Sequence, residues 1–172
     1  MPNSTPIHKA AAQVSEDRSS IVDFVLKFAG TDLLCYRAEQ PAELRAHQQK
    51  TWQPLLDWAA ATFKARLAVT EGISPVAQPA EALSHLRNAV EALDDRSLAA
   101  LAVLTQSCGS LIVGLAVING HLGPEQAMLA SQLDERWQAQ KWGEDETDRV
   151  RRDALKDEIQ AAIDFLELVR ND

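Results

Sequence analysis

Apolar residues return at three- and four-residue spacing along most of this chain, which predicts a succession of helices. Ile21, Val22, Val25 and Leu26 share one side with Asp23 and Lys27 between them, and Gly30 can close that helix in a left-handed turn. Gln40-Pro41-Ala42-Glu43 offers proline and a first-turn carboxylate to a new helix start. Thr51 with Pro54 reads as a fresh start, so residues 41–66 are expected to form two helices, the second buried through Leu55, Leu56, Trp58, Ala59 and Phe63. Leu67-Ala68-Val69-Thr70 alternates and is the one strand-like stretch, followed by a turn at Glu71-Gly72 and a loop to Pro79. Leu83, Leu86, Val90 and Leu93 mark the next helix, and Asp94-Asp95 ends it and caps its successor.

Residues 97–118 hold no charged side chain, and as helix they would span roughly 33 Å at about 1.5 Å per residue. Length alone would let them cross a bilayer. Thr105-Gln106-Ser107 near the middle, the small residues Cys108, Gly109, Ser110 and Gly114, and the lack of a basic anchor after Asn119-Gly120-His121 favour a buried core helix instead. Pro124-Glu125 starts another helix carrying Met128, Leu129, Leu133, Trp137 and Trp142. The last begins among Glu144, Asp145 and Glu146 and runs on Val150, Leu155, Ile159, Ile163, Leu166 and Val169. The expected fold is all-α: six to seven helices around a central apolar helix at 97–118, with at most one short strand. Residues 1–14, with two prolines and no sustained period, read as a leader or linker whose order depends on something packing against it, and 15–172 as the helical domain.

Composition narrows the function. A net charge of −8 argues against nucleic acid as the main partner. The acidity is concentrated at one end, since residues 143–172 hold 10 acids and 5 bases. Cys35 and Cys108 stand far apart and form neither a disulfide framework nor a zinc site, which suits a reducing compartment. His8, His47, His85 and His121 are scattered over different elements, and no glycine-rich phosphate loop is present, so no enzyme chemistry, cofactor or metal is expected. Trp52, Trp58 and Tyr36 fall on apolar faces and are assigned to the core. Trp137 and Trp142 lie five apart and cannot share one core position, so one of them is expected at the surface as an interface anchor.

Four phrases stand in order along the chain: Thr31-Asp32-Leu33-Leu34-Cys35-Tyr36-Arg37-Ala38; Trp52-Gln53-Pro54-Leu55-Leu56-Asp57-Trp58-Ala59; Val69-Thr70-Glu71-Gly72-Ile73 with Pro75 and Gln78-Pro79; and Leu133-Asp134-Glu135-Arg136-Trp137-Gln138 with Lys141-Trp142-Gly143. Together they resemble the helical part of the F-type ATP synthase assembly chaperone that binds the free α subunit of the catalytic sector. The resemblance implies a holdase that covers an exposed subunit flank until the β subunit replaces it, needing neither nucleotide nor metal. It implies partner-binding residues at Asp134, Glu135, Trp137, Gln138, Trp142 and Glu144, and a site of action in the bacterial cytoplasm, or in the mitochondrial matrix of a eukaryote, without stable membrane insertion. Members of the family carry a β domain before the helical one, which this chain is expected to lack. A helical adaptor for a different partner is the alternative, and ordinary solvated helix charge is the plain reading of Asp134, Glu135 and Glu144.

Overall fold

The structure, a computed structural model, describes residues 5–170, with side chains through Leu168; residues 1–4 of the expected leader and the Val169 side chain lie outside the described residues. Nine α-helices are found among the described residues: α1 (Pro6–Glu16), α2 (Arg18–Gly30), α3 (Ala42–Phe63), α4 (Ala80–Glu91), α5 (Asp95–Cys108), α6 (Leu111–Ile118), α7 (Pro124–Ser131), α8 (Leu133–Trp142) and α9 (Glu146–Arg170). Two two-residue strands, β1 (Tyr36–Arg37) and β2 (Thr70–Glu71), pair in parallel with Tyr36 opposite Thr70 and Arg37 opposite Glu71. The all-α class holds. The count exceeds seven, and there are two short strands where at most one was expected.

The differences have local causes. Residues 6–14 of the expected leader, together with Ser15 and Glu16, form α1, whose Ile7, Ala10 and Val14 are buried at helical spacing against α5. Residues 41–66 hold one helix instead of two. Gln48, Trp52, Leu55 and Ala59 form an unbroken buried stripe through α3, while Pro54 faces solvent, so packing on both sides of the proline carries the helix across its missing N–H. The apolar run 97–118 does the opposite and breaks. Gly109 adopts φ +68° and ends α5, and the Ser110 hydroxyl accepts a hydrogen bond from Val113 N (3.0 Å) to start α6. No helix among the described residues is long and apolar enough to cross a membrane. The helix expected from Pro124 divides at Gln132 into α7 and α8.

α5 is the centre of the molecule, with α1, α2, α6 and α9 packed around it. The break between α5 and α6 is stitched to the first family phrase. Asp32, fully buried, accepts hydrogen bonds from the Ser110 hydroxyl (2.7 Å), Ile112 N (3.1 Å) and Leu34 N (3.1 Å), and Leu33 N donates to Gly109 O (3.1 Å). Burial pushes the Asp32 carboxyl up to about 6 against the pull of those donors. Arg37, also buried, donates to Leu34 O (3.0 Å), Gln49 Oε1 (2.6 Å) and Gln53 Oε1 (3.2 Å) and lies over the Trp52 ring. Trp52 is fully buried and donates its indole N–H to Ala130 O (2.8 Å), which ties α3 to α7. Trp58 and Tyr36 are half-buried against the core; Trp58 stacks on His121 at 4.8 Å and meets Phe63 edge-on.

Candidate functional site

α8 has one buried residue, Leu133, and the first three turns of α9 have none before Ile159. These two helices meet at Gly143 and form a corner whose outer parts are held by few core contacts. Gly143 closes α8 at φ +83°. The Asp145 carboxylate accepts from Asp148 N (2.8 Å), capping the first turn of α9. The chain bends here because glycine permits the turn and an acid follows it.

The six expected partner-binding residues are distributed over this corner. Asp134 is half-buried and accepts a hydrogen bond from Gln48 Nε2 (2.8 Å), while Gln48 Oε1 accepts from Ala38 N (2.8 Å), so this carboxylate fastens α8 to α3 and to the segment after β1. Glu135 is surface-facing, yet partial desolvation in the crook of the corner, with the Asp134 charge beside it, holds its carboxyl above the usual range. Trp137 is half-buried with the Lys141 ammonium 5.1 Å from its ring centroid, and Lys141 lies 4.0 Å from the Glu43 carboxylate on α3. Gln138 is exposed. Trp142 is 86% exposed, the outstanding large apolar side chain of this corner. Glu144 is paired with Arg152. Glu135, Gln138, Trp142 and Glu144 line one groove of about 270 Å³ between α8 and α9; Asp134 and Trp137 are not among the residues that line it.

Sequence reasoning read this end as acidic and passed over its arginines. Arg136, Arg151 and Arg152 line the same groove, so its charge is mixed rather than negative. The signal was present: Arg136 sits inside the fourth phrase, and Arg151 and Arg152 follow one α-helical turn after Asp148. Neither thiol offers chemistry here, since burial pushes Cys35 and Cys108 each up to about 12. Among the described residues no group of three His, Cys, Asp or Glu is arranged to hold a metal ion. What the corner offers is a protruding indole beside paired and unpaired charge, a surface suited to reversible protein contact.

Comparison with known proteins places this chain in a family. Residues 1–60 match the model of the ATP12 chaperone protein family. The crystal structure of Atp12 from Paracoccus denitrificans superposes with a TM-score of 0.90 and is 37% identical, covering 94% of this chain and 69% of that one. The chain belongs to the ATP12 family. A point mutant of the same bacterial protein superposes with a TM-score of 0.91 at 35% identity, over 98% of this chain and 74% of that one. The mitochondrial Atp12 of Schizosaccharomyces pombe is 28% identical over 138 residues, which is 74% of this chain and 46% of that protein. The chain thus spans about half the length of its fission yeast relative. The ATP12 family is the family of ATP synthase assembly chaperones to which the four phrases pointed.

Proposed function

We propose that this chain is a holdase for assembly of the F-type ATP synthase catalytic sector, binding the unassembled α subunit through the α8–α9 corner and releasing it when the β subunit competes for the same flank. The observation that carries the reading is Trp142, 86% exposed within the fourth family phrase, because a large indole held in water by a folded protein is the side chain a partner's pocket gains most from covering. Family membership supports the assembly role, and the α subunit as client follows from the resemblance. The mechanism requires a surface that binds the orphan subunit better than water does and worse than the true neighbour does, with no bond made or broken. Such a role would be exercised in the bacterial cytoplasm or, for a mitochondrial member, in the matrix. In the longer relatives a β domain would add to the contact, so this helical part would hold a share of the affinity.

Trp142→Ala should reduce capture of the free α subunit by about tenfold, a hot-spot loss of roughly 1.4 kcal/mol or more, while leaving thermal stability unchanged because the ring stands almost wholly in solvent. Recovery of purified, unassembled α subunit by affinity capture on wild type and on the variant gives the readout, and added β subunit should release it. Capture of no α subunit by wild type would refute the proposal. A different dominant partner recovered from whole-cell extract would make the chain an adaptor for that protein.

A further inference from the structure

The groove between α8 and α9 is neutral in a negative protein. Glu135, Glu144 and Asp148 line it together with Arg136, Arg151 and Arg152, so three acids stand among three arginines on a chain whose net charge is −8. Arg152 and Glu144 already pair with each other. Glu135, Arg136, Asp148 and Arg151 make no ion pair and no side-chain hydrogen bond with another described residue. Asp148 and Arg151 are three apart on α9, within reach of an intrahelical pair that does not form. What stays open is therefore balanced, two carboxylates and two guanidinium groups beside the 86% exposed indole of Trp142. Glu135 has most to gain from a cation, since partial desolvation and the charge of Asp134 hold its carboxyl above the usual range.

Such a surface is matched by its own copy. A partner carrying charge of one sign would satisfy two of the four open groups and repel the other two. The same surface turned through a two-fold axis sets acids against arginines on both sides, because in an isologous contact every pairing is made twice. The neutral corner also lets two copies of a negative protein meet with little net repulsion. We propose that a second copy of this chain docks on the α8–α9 corner about a two-fold axis, each Trp142 covered by the other copy and Glu135 and Asp148 of one copy meeting Arg136 and Arg151 of the other. The contact is confined to one corner, so it belongs with the small interfaces below about 1,200 Å² and has a dissociation constant on the order of 10–100 µM. The dimer hides the indole that the proposed client contact uses, which makes it a resting form that a client displaces. Only this last consequence rests on the chaperone reading.

Sedimentation velocity of the full chain from about 1 to about 200 µM tests the proposal, with a monomer–dimer equilibrium expected. Trp142→Ala should weaken the dimer about tenfold or more. E135R/D148R and R136E/R151E should each sediment as monomer, and their equimolar mixture should regain dimer, since one then offers only cations at these positions and the other only anions; circular dichroism confirms that every variant keeps its helicity. A wild type that stays monomeric throughout, a dimer that survives Trp142→Ala and both charge variants, or a mixture that stays monomeric overturns the proposal. Purified α subunit separates this proposal from the client reading. A dimer that gives way to a complex with α supports both, a dimer in a protein that captures no α upholds the self-contact and sinks the client assignment, and α capture by a chain that never dimerises does the reverse.

Discussion

Asp32 is the residue on which the first family phrase turns, because one carboxylate joins the 3-10 turn at Leu33–Cys35 to the break between α5 and α6. Its three donors favour the ionised form, and complete burial opposes it more strongly, leaving the carboxyl at about 6 instead of its ordinary 3.8. A carboxyl raised on folding adds stability below its unfolded value, near pH 4, and that contribution is lost as pH rises through about 6. A rise from 3.8 to about 6 corresponds to about 3 kcal/mol. Wild type should therefore lose stability relative to Asp32→Asn by up to about that amount between pH 4 and 7. Urea unfolding of both proteins across this range measures it, and a difference independent of pH would mean that the carboxyl titrates normally in the fold. The same substitution should cost stability at every pH, since an amide cannot accept from all three donors.

At the scale of elements, glycines decide what hydrophobic periodicity leaves open. Gly109 has no atom within 4 Å of the place a Cβ would occupy but sits at φ +68°, so alanine there should cost about 1–2 kcal/mol from backbone strain alone, and asparagine less. Gly114 is the converse: its backbone is ordinary, but a Cβ would lie 2.8 Å from Thr105 Oγ1 and 2.9 Å from Leu101 Cδ1, where α6 crosses α5. Gly114→Ala should cost about 1–3 kcal/mol by overpacking. Thr105→Ala should recover part of that loss, because the buried Thr105 hydroxyl has no hydrogen-bond partner among the described residues and its removal makes room. A thermal-denaturation double-mutant cycle showing strict additivity would disprove the close approach. These cases also show how far the sequence could be read. The helical faces of α2 and α4 were readable from spacing, as was the exposure of one of Trp137 and Trp142, whereas Val150, expected on the buried face of α9, stands in solvent. The fusion across Pro54 and the break at Gly109 were not, since each depends on tertiary partners, the stripe from Gln48 to Ala59 in one and Asp32, distant in sequence, in the other. In the candidate site the acids were read and the arginines were not, because net charge sums over a segment while a groove selects individual side chains. Asp134 looked like surface acidity, and only the fold reveals Gln48 as its partner.

On the scale of the whole molecule, α5 is packed against helices drawn from both ends of the chain, α1 and α2 from one end and α9 from the other, with α1 also meeting α9. α1 contributes Ile7 and Val14 to the core, both nearly fully buried, and its end is joined to α2 by Asp17, which caps α2 through Ser20 N at 3.2 Å. Burying two large aliphatic side chains is worth about 1.5–3 kcal/mol each. Against a total stability of about 5–15 kcal/mol for a domain, deletion of residues 1–16 should remove about 3–6 kcal/mol, exposing the apolar side of α5 at the same time. The deletion would also remove Pro6, Lys9 and Gln13 from the wall of the groove of about 940 Å³ that α1, α2, α5 and α9 line. Trp142→Ala, on the α8–α9 corner, should by contrast lower partner binding and leave stability intact. Guanidinium unfolding of the shortened chain, with a hydrophobic dye reporting exposed surface, separates the two cases. A midpoint equal to that of the full chain would show α1 to be an appendage resting on a fold that holds without it, whereas a large loss together with dye binding makes α1 an integral wall of the core.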